Sequence, residues 1–368
     1  MNQEPTPFAA TLSFRLVVTL STIVIAGCSS GGGGGGGNVN QPPVANNGCT
    51  YYPDLTQNPL AGMLSATDPE GQSLSYSIVP GSSGMKGQAV VTSPMTGAFA
   101  YTPNANSRGM DTFTYEVTDG NLTAQGTYQI VYTPRIMPLG DSITQGVTSS
   151  GQPAENNRVG YRKPLKDALA AANYQTDFVG TLANGIGAGL TDPEHDGHGA
   201  CTADELAAGT GPCAGMGGGV ASWLNIARPD VVLLHVGTND ISNAMGFDPD
   251  DVNDVETILN TIDAWEATNW PVTVIVSRII TNRMLATAET TAFNNAVQTM
   301  VLSRTTDKLE LVDHQPNVSP ADYGDLLHPS SGGYQKMANV WLWPLSGDST
   351  ISTASGNHVG PGILPKCP

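Results

Sequence analysis

Ser142 lies in the stretch MPLGDSITQG (137–146), directly after an apolar run that is typical of a buried strand. A serine hydroxyl is a weak nucleophile at neutral pH and needs a base to take its proton as it attacks a carbonyl. His328 is the candidate base, because a neutral imidazole accepts a proton near pH 7. Asp325 precedes it on the same short turn and is placed to orient the ring. These residues predict a Ser-His-Asp triad.

Such an attack produces a tetrahedral oxyanion, which hydrogen-bond donors already in place must stabilise. Three further segments are candidates for the same site: DGHGA (196–200), GTND (237–240) and DLLH (325–328). Each follows an apolar run that is typical of a strand. In a parallel sheet, ligands bind beyond the carboxyl ends of the strands, where the strand order reverses. We therefore expect these segments to converge on Ser142.

The pattern of the second part of the chain is that of an α/β fold. Near-continuous apolar runs alternate with helical patterns, which indicates a parallel sheet covered by helices on both faces. The runs are RIMPL (135–139), TDFVG (176–180), DVVLLHV (230–236), VTVIV (272–276) and LELV (309–312). No G-x-S-x-G elbow occurs, which argues against the ordinary α/β-hydrolase fold.

Two helices are recognisable from their apolar stripes. Asp248 as N-cap and Pro249 as first helical residue predict the start of one of them. Its stripe consists of Val252, Val255, Ile258, Leu259, Ile262 and Trp265. The other helix presents Phe293, Val297, Met300 and Val301 on one face. Both stripes predict packing against the sheet.

The segment 42–133 alternates apolar and polar residues with period two, which predicts a β-sandwich. The predicted strands are SLSYSIV (73–79), GAFAYTP (97–103), DTFTYEVTDG (111–120) and GTYQIVY (126–132). With its DPEG and YEVTDG stretches the segment resembles the cadherin-like, immunoglobulin-like modules of bacterial surface proteins. Some such modules bind calcium, for which Asp68, Glu70 and Asp119 are the candidate ligands. We favour the alternative that these residues form turns.

The blocks Gly140-Asp141-Ser142, Gly199, GTND and Asp325-x-x-His328 resemble, in order, the four blocks of the SGNH or GDSL hydrolases. The branch that contains acetylxylan esterases is the most similar. The resemblance implies a flavodoxin-like three-layer sandwich and catalysis without a cofactor.

The resemblance also assigns roles to individual residues. Ser142, Asp325 and His328 become the catalytic triad. The oxyanion hole is formed by the backbone N–H groups of Ser142 and Gly199 and by the side-chain amide of Asn239. In related esterases a tryptophan often follows the glycine, whereas Ala200 and Cys201 stand here.

Each assignment has an alternative. Ser142 could cap the helix that follows it, and Asp141 is expected to be a structural hydrogen-bonding residue. His235 lies inside an apolar strand and is expected to be a core histidine with satisfied hydrogen bonds. Asp240 could brace its loop. The stretch DPEHDGH (192–198) gathers acids and histidines, but it matches no common zinc motif and the triad requires no metal.

Charge and cysteine usage favour an exported protein. The 368 residues include 32 acidic and 15 basic side chains, and the net charge of -17 would repel nucleic acid. Apart from Cys28, four cysteines remain. Cys201 and Cys213 lie close in sequence and are predicted to pair, which leaves Cys49 for Cys367 by elimination.

The first residues are typical of a targeting segment. The apolar run Leu16–Ala26 is too short to span a bilayer comfortably. It ends in IAGC (25–28), which resembles the lipobox of bacterial lipoproteins, so Cys28 is predicted to carry a lipid anchor. The alternative is an ordinary cleaved signal. Ser29 favours the outer membrane in a Gram-negative host, and the glycines 31–37 predict a flexible tether.

The predicted organisation is a lipoprotein signal peptide (1–27), a Gly-rich tether (28–41), an Ig-like sandwich (42–133) and an SGNH hydrolase domain (134–368). The expected activity is hydrolysis of short acyl esters, O-acetyl groups on polysaccharides in particular, at the outer membrane or cell surface. One alternative is a lipase, a lysophospholipase or a broad carboxylesterase. Another is an anchored carbohydrate-binding or adhesion protein with an inert hydrolase domain.

Overall fold

Two architectures follow one another in the computed structural model, which describes residues 39–53, 58–149, 151–215, 217–348 and 361–368. The first is all-β and the second is α/β. The signal peptide and most of the tether lie outside the described residues. No helix in the described ranges is long and apolar enough to cross a membrane.

The all-β part is a sandwich of short strands. Its strands are β1 (Val44–Asn46), β2 (Gly48–Tyr52), β3 (Leu60–Met63), β4 (Ser65–Thr67), β5 (Ser75–Ile78), β6 (Gly87–Ser93), β7 (Ala98–Pro103), β8 (Met110–Thr118) and β9 (Thr123–Tyr132). One sheet has the order β2-β9-β8-β5 and the other β3-β7-β6, while β1 pairs with β4. Between the sheets, the rings of Phe99, Phe113 and Tyr128 pack together with centroids 4.8 to 5.5 Å apart.

The predicted sandwich is confirmed, and its four predicted strands correspond to β5, β7, β8 and β9. The sequence pattern did not predict β1, β2, β3, β4 and β6, most of which are too short to show a clear alternation.

The α/β part is built on one sheet. Its strands are β10 (Arg135–Gly140), β11 (Asp177–Phe178), β12 (Leu182–Ala183), β13 (Glu194–Gly197), β14 (Val231–His235), β15 (Thr273–Arg278) and β16 (Leu309–Asp313). Its helices are α1 (Ser142–Gln145), α2 (Arg162–Ala171), α3 (Ala203–Ala208), α4 (Gly219–Ala227), α5 (Thr238–Asn243), α6 (Asp250–Glu266), α7 (Thr287–Ser303) and α8 (Ser331–Ser346).

Helices cover both faces of this sheet, which confirms the predicted three-layer α/β fold. One apolar core holds residues of α3, α4, α6 and α7, including all the stripe residues predicted for α6 and α7. The other core holds residues of α2 and α8. Helix α6 begins at Asp250 rather than at Pro249, and the Asp248 side chain accepts a hydrogen bond from the Asp250 backbone N–H at 3.0 Å.

The strand order is β12-β13-β10-β14-β15-β16, and β11 also pairs with β10. The sheet is parallel, as predicted, except at one edge, where β12 is antiparallel to β13. Strand β13 was not predicted, because its residues Glu-His-Asp-Gly have no apolar alternation. It pairs in parallel with β10, so β10 has β13 on one side and β14 on the other. The order therefore reverses at β10, immediately before Ser142.

Candidate active site

The end of β10 places the nucleophile candidate. A Cβ atom on Gly140 would lie 2.1 Å from the carbonyl oxygen of His235, so only glycine permits this approach of β10 to β14. Asp141 then caps α1, since its Oδ1 accepts from the Ile143 N–H at 2.9 Å. Ser142 is therefore not the cap of this helix, and its hydroxyl is available for another contact.

That contact is with a histidine from the other end of the domain. Ser142 Oγ lies 2.9 Å from Nε2 of His328, and Nδ1 of His328 lies 2.9 Å from Oδ2 of Asp325. The two distances are those of hydrogen bonds. The structure thus brings together the three residues predicted as a triad, although Ser142 and His328 are 186 positions apart.

The turn that carries the histidine is held by the same carboxylate. Asp325 Oδ1 accepts from the backbone N–H groups of Leu327 and His328, both at 2.7 Å. Burial on its own would raise the pKa of Asp325, but these bonds and that of the His328 ring outweigh burial and lower the pKa below its ordinary value. Asp325 is therefore ionised at neutral pH and fixes both the position and the orientation of the His328 ring.

The predicted oxyanion donors also lie at this edge. A Cβ atom on Gly199 would stand 3.9 Å from the Cβ of Ser142 and 3.1 Å from Oε1 of Gln145, so these segments are neighbours. No hydrogen bond among the described residues uses the backbone N–H of Ser142 or Gly199. Asn239 donates one amide hydrogen to the carbonyl of Cys201 at 2.8 Å, which leaves its second hydrogen for another acceptor.

Helix α5 presents Asn239. It begins after Gly237, whose φ of 119° lies in the left-handed region that favours glycine. Asp240 braces the helix, because its Oδ1 accepts from the Ala203 N–H at 2.9 Å. The neighbouring Cys201 forms the predicted disulfide with Cys213. The other predicted disulfide, between Cys49 and Cys367, is present as well.

Two buried groups that the sequence did not reveal support the site. Arg162 is fully buried, and its guanidinium donates to five backbone carbonyls around α1 and β13. His198 precedes Gly199, with Nε2 3.2 Å from Oδ1 of Asp196 and its ring stacked on Trp223 at 4.0 Å. Arg162 shares one face of α2 with Leu165 and Leu169, and a charged residue on that apolar stripe was the available signal.

Other residues singled out in the sequence have different surroundings. His195 Nε2 lies 2.9 Å from Oδ1 of Asn184, and its Nδ1 accepts from the Gly197 N–H. His235 is buried as predicted, but the prediction of satisfied hydrogen bonds is wrong, because neither ring nitrogen has a partner among the described residues. Asp68 and Asp119 accept bonds from backbone N–H groups of their own turns, as turn-forming residues do.

Parts of the chain are similar to known esterases. A multidomain esterase from Ruminococcus flavefaciens is 28% identical over 232 residues, which are 58% of this chain and 29% of that protein. A family 3 carbohydrate esterase from Clostridium thermocellum has 26% identity over 57% of this chain and 93% of its own, with a TM-score of 0.45. One from Talaromyces cellulolyticus has 24% identity over 57% of this chain and 95% of its own, with a TM-score of 0.43.

Two family models match the chain. A bacterial Ig domain matches residues 40–131, in the all-β part. The GDSL-like lipase/acylhydrolase model matches residues 136–341, which is more than half of the sequence. The chain therefore belongs to the GDSL-like lipase/acylhydrolase family.

Proposed function

We propose that this protein is a serine esterase that hydrolyses short acyl esters through an acyl-enzyme on Ser142. The observation that carries the proposal is the chain of two 2.9 Å contacts from Ser142 Oγ through the His328 ring to the Asp325 carboxylate. Nucleophile, base and orienting group stand in this relation in enzymes that catalyse acyl transfer.

In the first half of the reaction, Ser142 Oγ bonds to the ester carbonyl carbon while its proton passes to Nε2 of His328. The tetrahedral intermediate then expels the alcohol, which takes that proton, and the acyl group remains on Ser142. In the second half, water attacks the acyl carbon and gives its proton to His328. Collapse of this second intermediate releases the acid and returns the proton to Ser142 Oγ.

The negative charge that develops on the carbonyl oxygen needs fixed donors. The backbone N–H groups of Ser142 and Gly199 and the second amide hydrogen of Asn239 are suited to this role, because they are neutral donors beside the nucleophile. Asp325 supports the positive charge that His328 acquires in each half-reaction.

The substrate that we propose is an O-acetyl ester, carried by a polysaccharide outside the cell. It is the substrate class implied by the resemblance to the acetylxylan-esterase branch. Export, and a lipid anchor at Cys28, belong to the same proposal, although Cys28 lies outside the described residues. Calcium binding by the Ig-like domain remains a hypothesis, tested below.

Hydrolysis of p-nitrophenyl acetate tests the proposal. We expect Ser142→Ala to reduce the rate to that of the uncatalysed reaction, and Asn239→Ala to lower kcat by about a hundredfold or more, the usual effect of losing one oxyanion donor. Ser303→Ala, at the exposed end of α7, is the control and should retain full activity. Equal rates for the wild type and Ser142→Ala would overturn the proposal in favour of a binding protein.

The acyl and sugar preferences need separate measurements. Rates with p-nitrophenyl esters should fall steeply from acetate to octanoate, and acetate should be released from acetylated xylan. Faster hydrolysis of octanoate would contradict the acetyl specificity and favour a lipase-like enzyme instead.

A further inference from the structure

Three aspartates from different helices meet beside the active site. They are Asp204 in the first turn of α3, Asp240 in the first turn of α5 and Asp254 in α6. Each offers one carboxylate oxygen, and these oxygens all lie within 4.8 Å of one another. Their spacing is suited to a single ion held between three helices.

Asp240 supplies an independent indication that a ligand belongs here. The residue is only 5% exposed. Oδ1 accepts from the Ala203 N–H at 2.9 Å, whereas the buried Oδ2 has no hydrogen-bond partner in any other described residue. A buried carboxylate oxygen without a donor is unfavourable, so the site lacks a positively charged or donating partner.

The charged neighbours make the arrangement more unfavourable. The carboxylates of Asp141 and Asp251 repel an ionised Asp240, and those of Asp204 and Asp251 repel an ionised Asp254. A cation bound between Asp204, Asp240 and Asp254 would offset this repulsion.

We propose that Asp204, Asp240 and Asp254 bind one divalent cation, and that this cation is calcium. Hard oxygen ligands select calcium or magnesium over zinc, which prefers nitrogen and sulfur. Calcium tolerates irregular ligand geometry and completes its shell with water, whereas magnesium requires near-ideal octahedral geometry. Asp204 is exposed, so the ion has a path from solvent.

The ion would tie the start of α5 to α3 and α6. Asp240 follows Asn239 directly, and Asn239 donates to Cys201 just before α3. Calcium would thus stabilise the corner that presents the proposed oxyanion donor. This inference concerns binding and stability, and it does not depend on ester hydrolysis.

The site can be tested by calorimetric titration with CaCl₂ of three metal-stripped proteins: the wild type, Asp204→Asn and Asp254→Asn. Thermal unfolding of the same proteins is measured with and without calcium. For the wild type we expect one calcium ion per chain and a rise in the unfolding temperature. Dissociation constants of extracellular calcium modules, about 0.1 to 1 mM, set the expected range. Each variant should bind at least about tenfold more weakly, because it loses one charged ligand.

The stability of the metal-free variants gives a second readout. Removing one of three mutually repelling carboxylates should leave the unfolding temperature without calcium equal to or above that of the wild type. With calcium, the wild type should gain more stability than either Asp204→Asn or Asp254→Asn. Asp204 is exposed, so Asp204→Asn keeps the test valid if Asp254→Asn fails to fold.

Asp68→Asn is the matched control, because Asp68 is the candidate calcium ligand of the Ig-like domain. It should bind calcium as the wild type does. Absence of calcium binding by the wild type would overturn the proposal. So would binding that Asp204→Asn and Asp254→Asn retain but Asp68→Asn loses, since the ion would then lie in the sandwich.

Discussion

At the scale of single residues, Arg162 shows how a buried charge can position the segment that carries the proposed nucleophile. Its guanidinium donates to backbone carbonyls in separate segments of the chain, those of Thr144, Gln145, Arg158, Asn184 and Pro193. Burial lowers the pKa of Arg162 to about 10, so the group stays cationic at neutral pH. Because Thr144 and Gln145 belong to α1, one side chain fixes the helix that starts at Ser142.

Arg162→Lys should therefore weaken both the fold and catalysis. A lysine ammonium has three donors on a flexible chain and cannot serve five carbonyls. We expect the free energy of unfolding to fall by about 3 kcal/mol. This is the size of the effect expected when two hydrogen bonds from a charged donor are lost. In esterase assays kcat should fall more than KM rises, because the displaced group is the proposed nucleophile rather than a substrate contact.

Lys163→Ala is the control for this effect. Lys163 follows Arg162 in α2, but it forms an exposed ion pair with Asp167 at 2.9 Å. Such pairs contribute less than about 1 kcal/mol. An Arg162→Lys protein with the stability and kcat of Lys163→Ala would contradict the positioning role.

At the scale of elements, two histidines are buried where β14 and β16 meet α8. The ring of His314, which follows β16, lies 5.7 Å from that of His235 and 4.7 Å from that of Trp341. No ring nitrogen of these two histidines has a hydrogen-bond partner among the described residues. Burial lowers the pKa of His235 to about 4 and that of His314 well below its ordinary value, so both rings are neutral.

This packing predicts a loss of stability in acid. Histidines of the unfolded chain take up protons below about pH 6.5, whereas the buried rings remain neutral, so acid favours unfolding. The free energy of unfolding therefore falls as the pH drops from about 6.5 to the lowered pKa values of these histidines in the folded state. Asp141 and Asp240 act in the opposite direction, because burial raises their pKa to about 6 and about 7 and the folded state binds more protons there.

The variant His314→Phe isolates the histidine contribution. Phenylalanine keeps the aromatic contacts and removes two unpartnered nitrogens, so stability at pH 7 should be unchanged or higher. Between pH 6.5 and 4.5 the free energy of unfolding of the wild type should fall by about 2 to 3 kcal/mol more than that of the variant. The difference corresponds to one proton that the unfolded wild type binds at His314 and the folded protein does not. Denaturant titrations of both proteins at several pH values in this range measure the free energy of unfolding. The same dependence of this free energy on pH in both proteins would contradict the prediction.

The elements also show where sequence patterns carry information and where they do not. Near-continuous apolar runs predicted the strands β10, β14, β15 and β16, because these strands are buried on both faces. Apolar stripes predicted the packing faces of α6 and α7, because each helix buries one face. Strand β13 was missed because its buried positions are filled by His195 and Asp196, which hydrogen bonds rather than hydrophobicity hold in place. The carboxylate cluster of α3, α5 and α6 was missed for another reason, since no local spacing links side chains on three helices.

The domain boundaries and the catalytic roles of Ser142, Asp325 and His328 remain predictions, although the structure brings the three side chains into contact.

At the scale of the whole molecule, the Ig-like and α/β parts share one compact unit from Gln41 to Pro368. Arg108, which precedes β8, forms an ion pair with Asp230 at 3.0 Å and lies 4.1 Å above the ring of Trp270. The disulfide Cys49–Cys367 connects β2 to the last described segment. The sandwich is thus fixed to the catalytic part by contacts and by a covalent bond, and it does not move as a free spacer.

The two disulfides should therefore have separable effects. The Cys49–Cys367 bond closes a loop of 318 residues and the Cys201–Cys213 bond one of 12. In the chain-entropy model they stabilise the fold by about 6 and about 3 kcal/mol respectively. Replacing the first pair by serine should lower the unfolding temperature more, yet leave kcat unchanged, because neither cysteine contacts the triad. Replacing the second pair should lower kcat, because the segment whose Cys201 carbonyl accepts from the Asn239 amide would lose its covalent link to Cys213. Thermal unfolding and esterase rates of the two double variants measure both effects. A loss of kcat in the Cys49→Ser, Cys367→Ser protein would mean that the sandwich acts on the active site and does more than stabilise the fold.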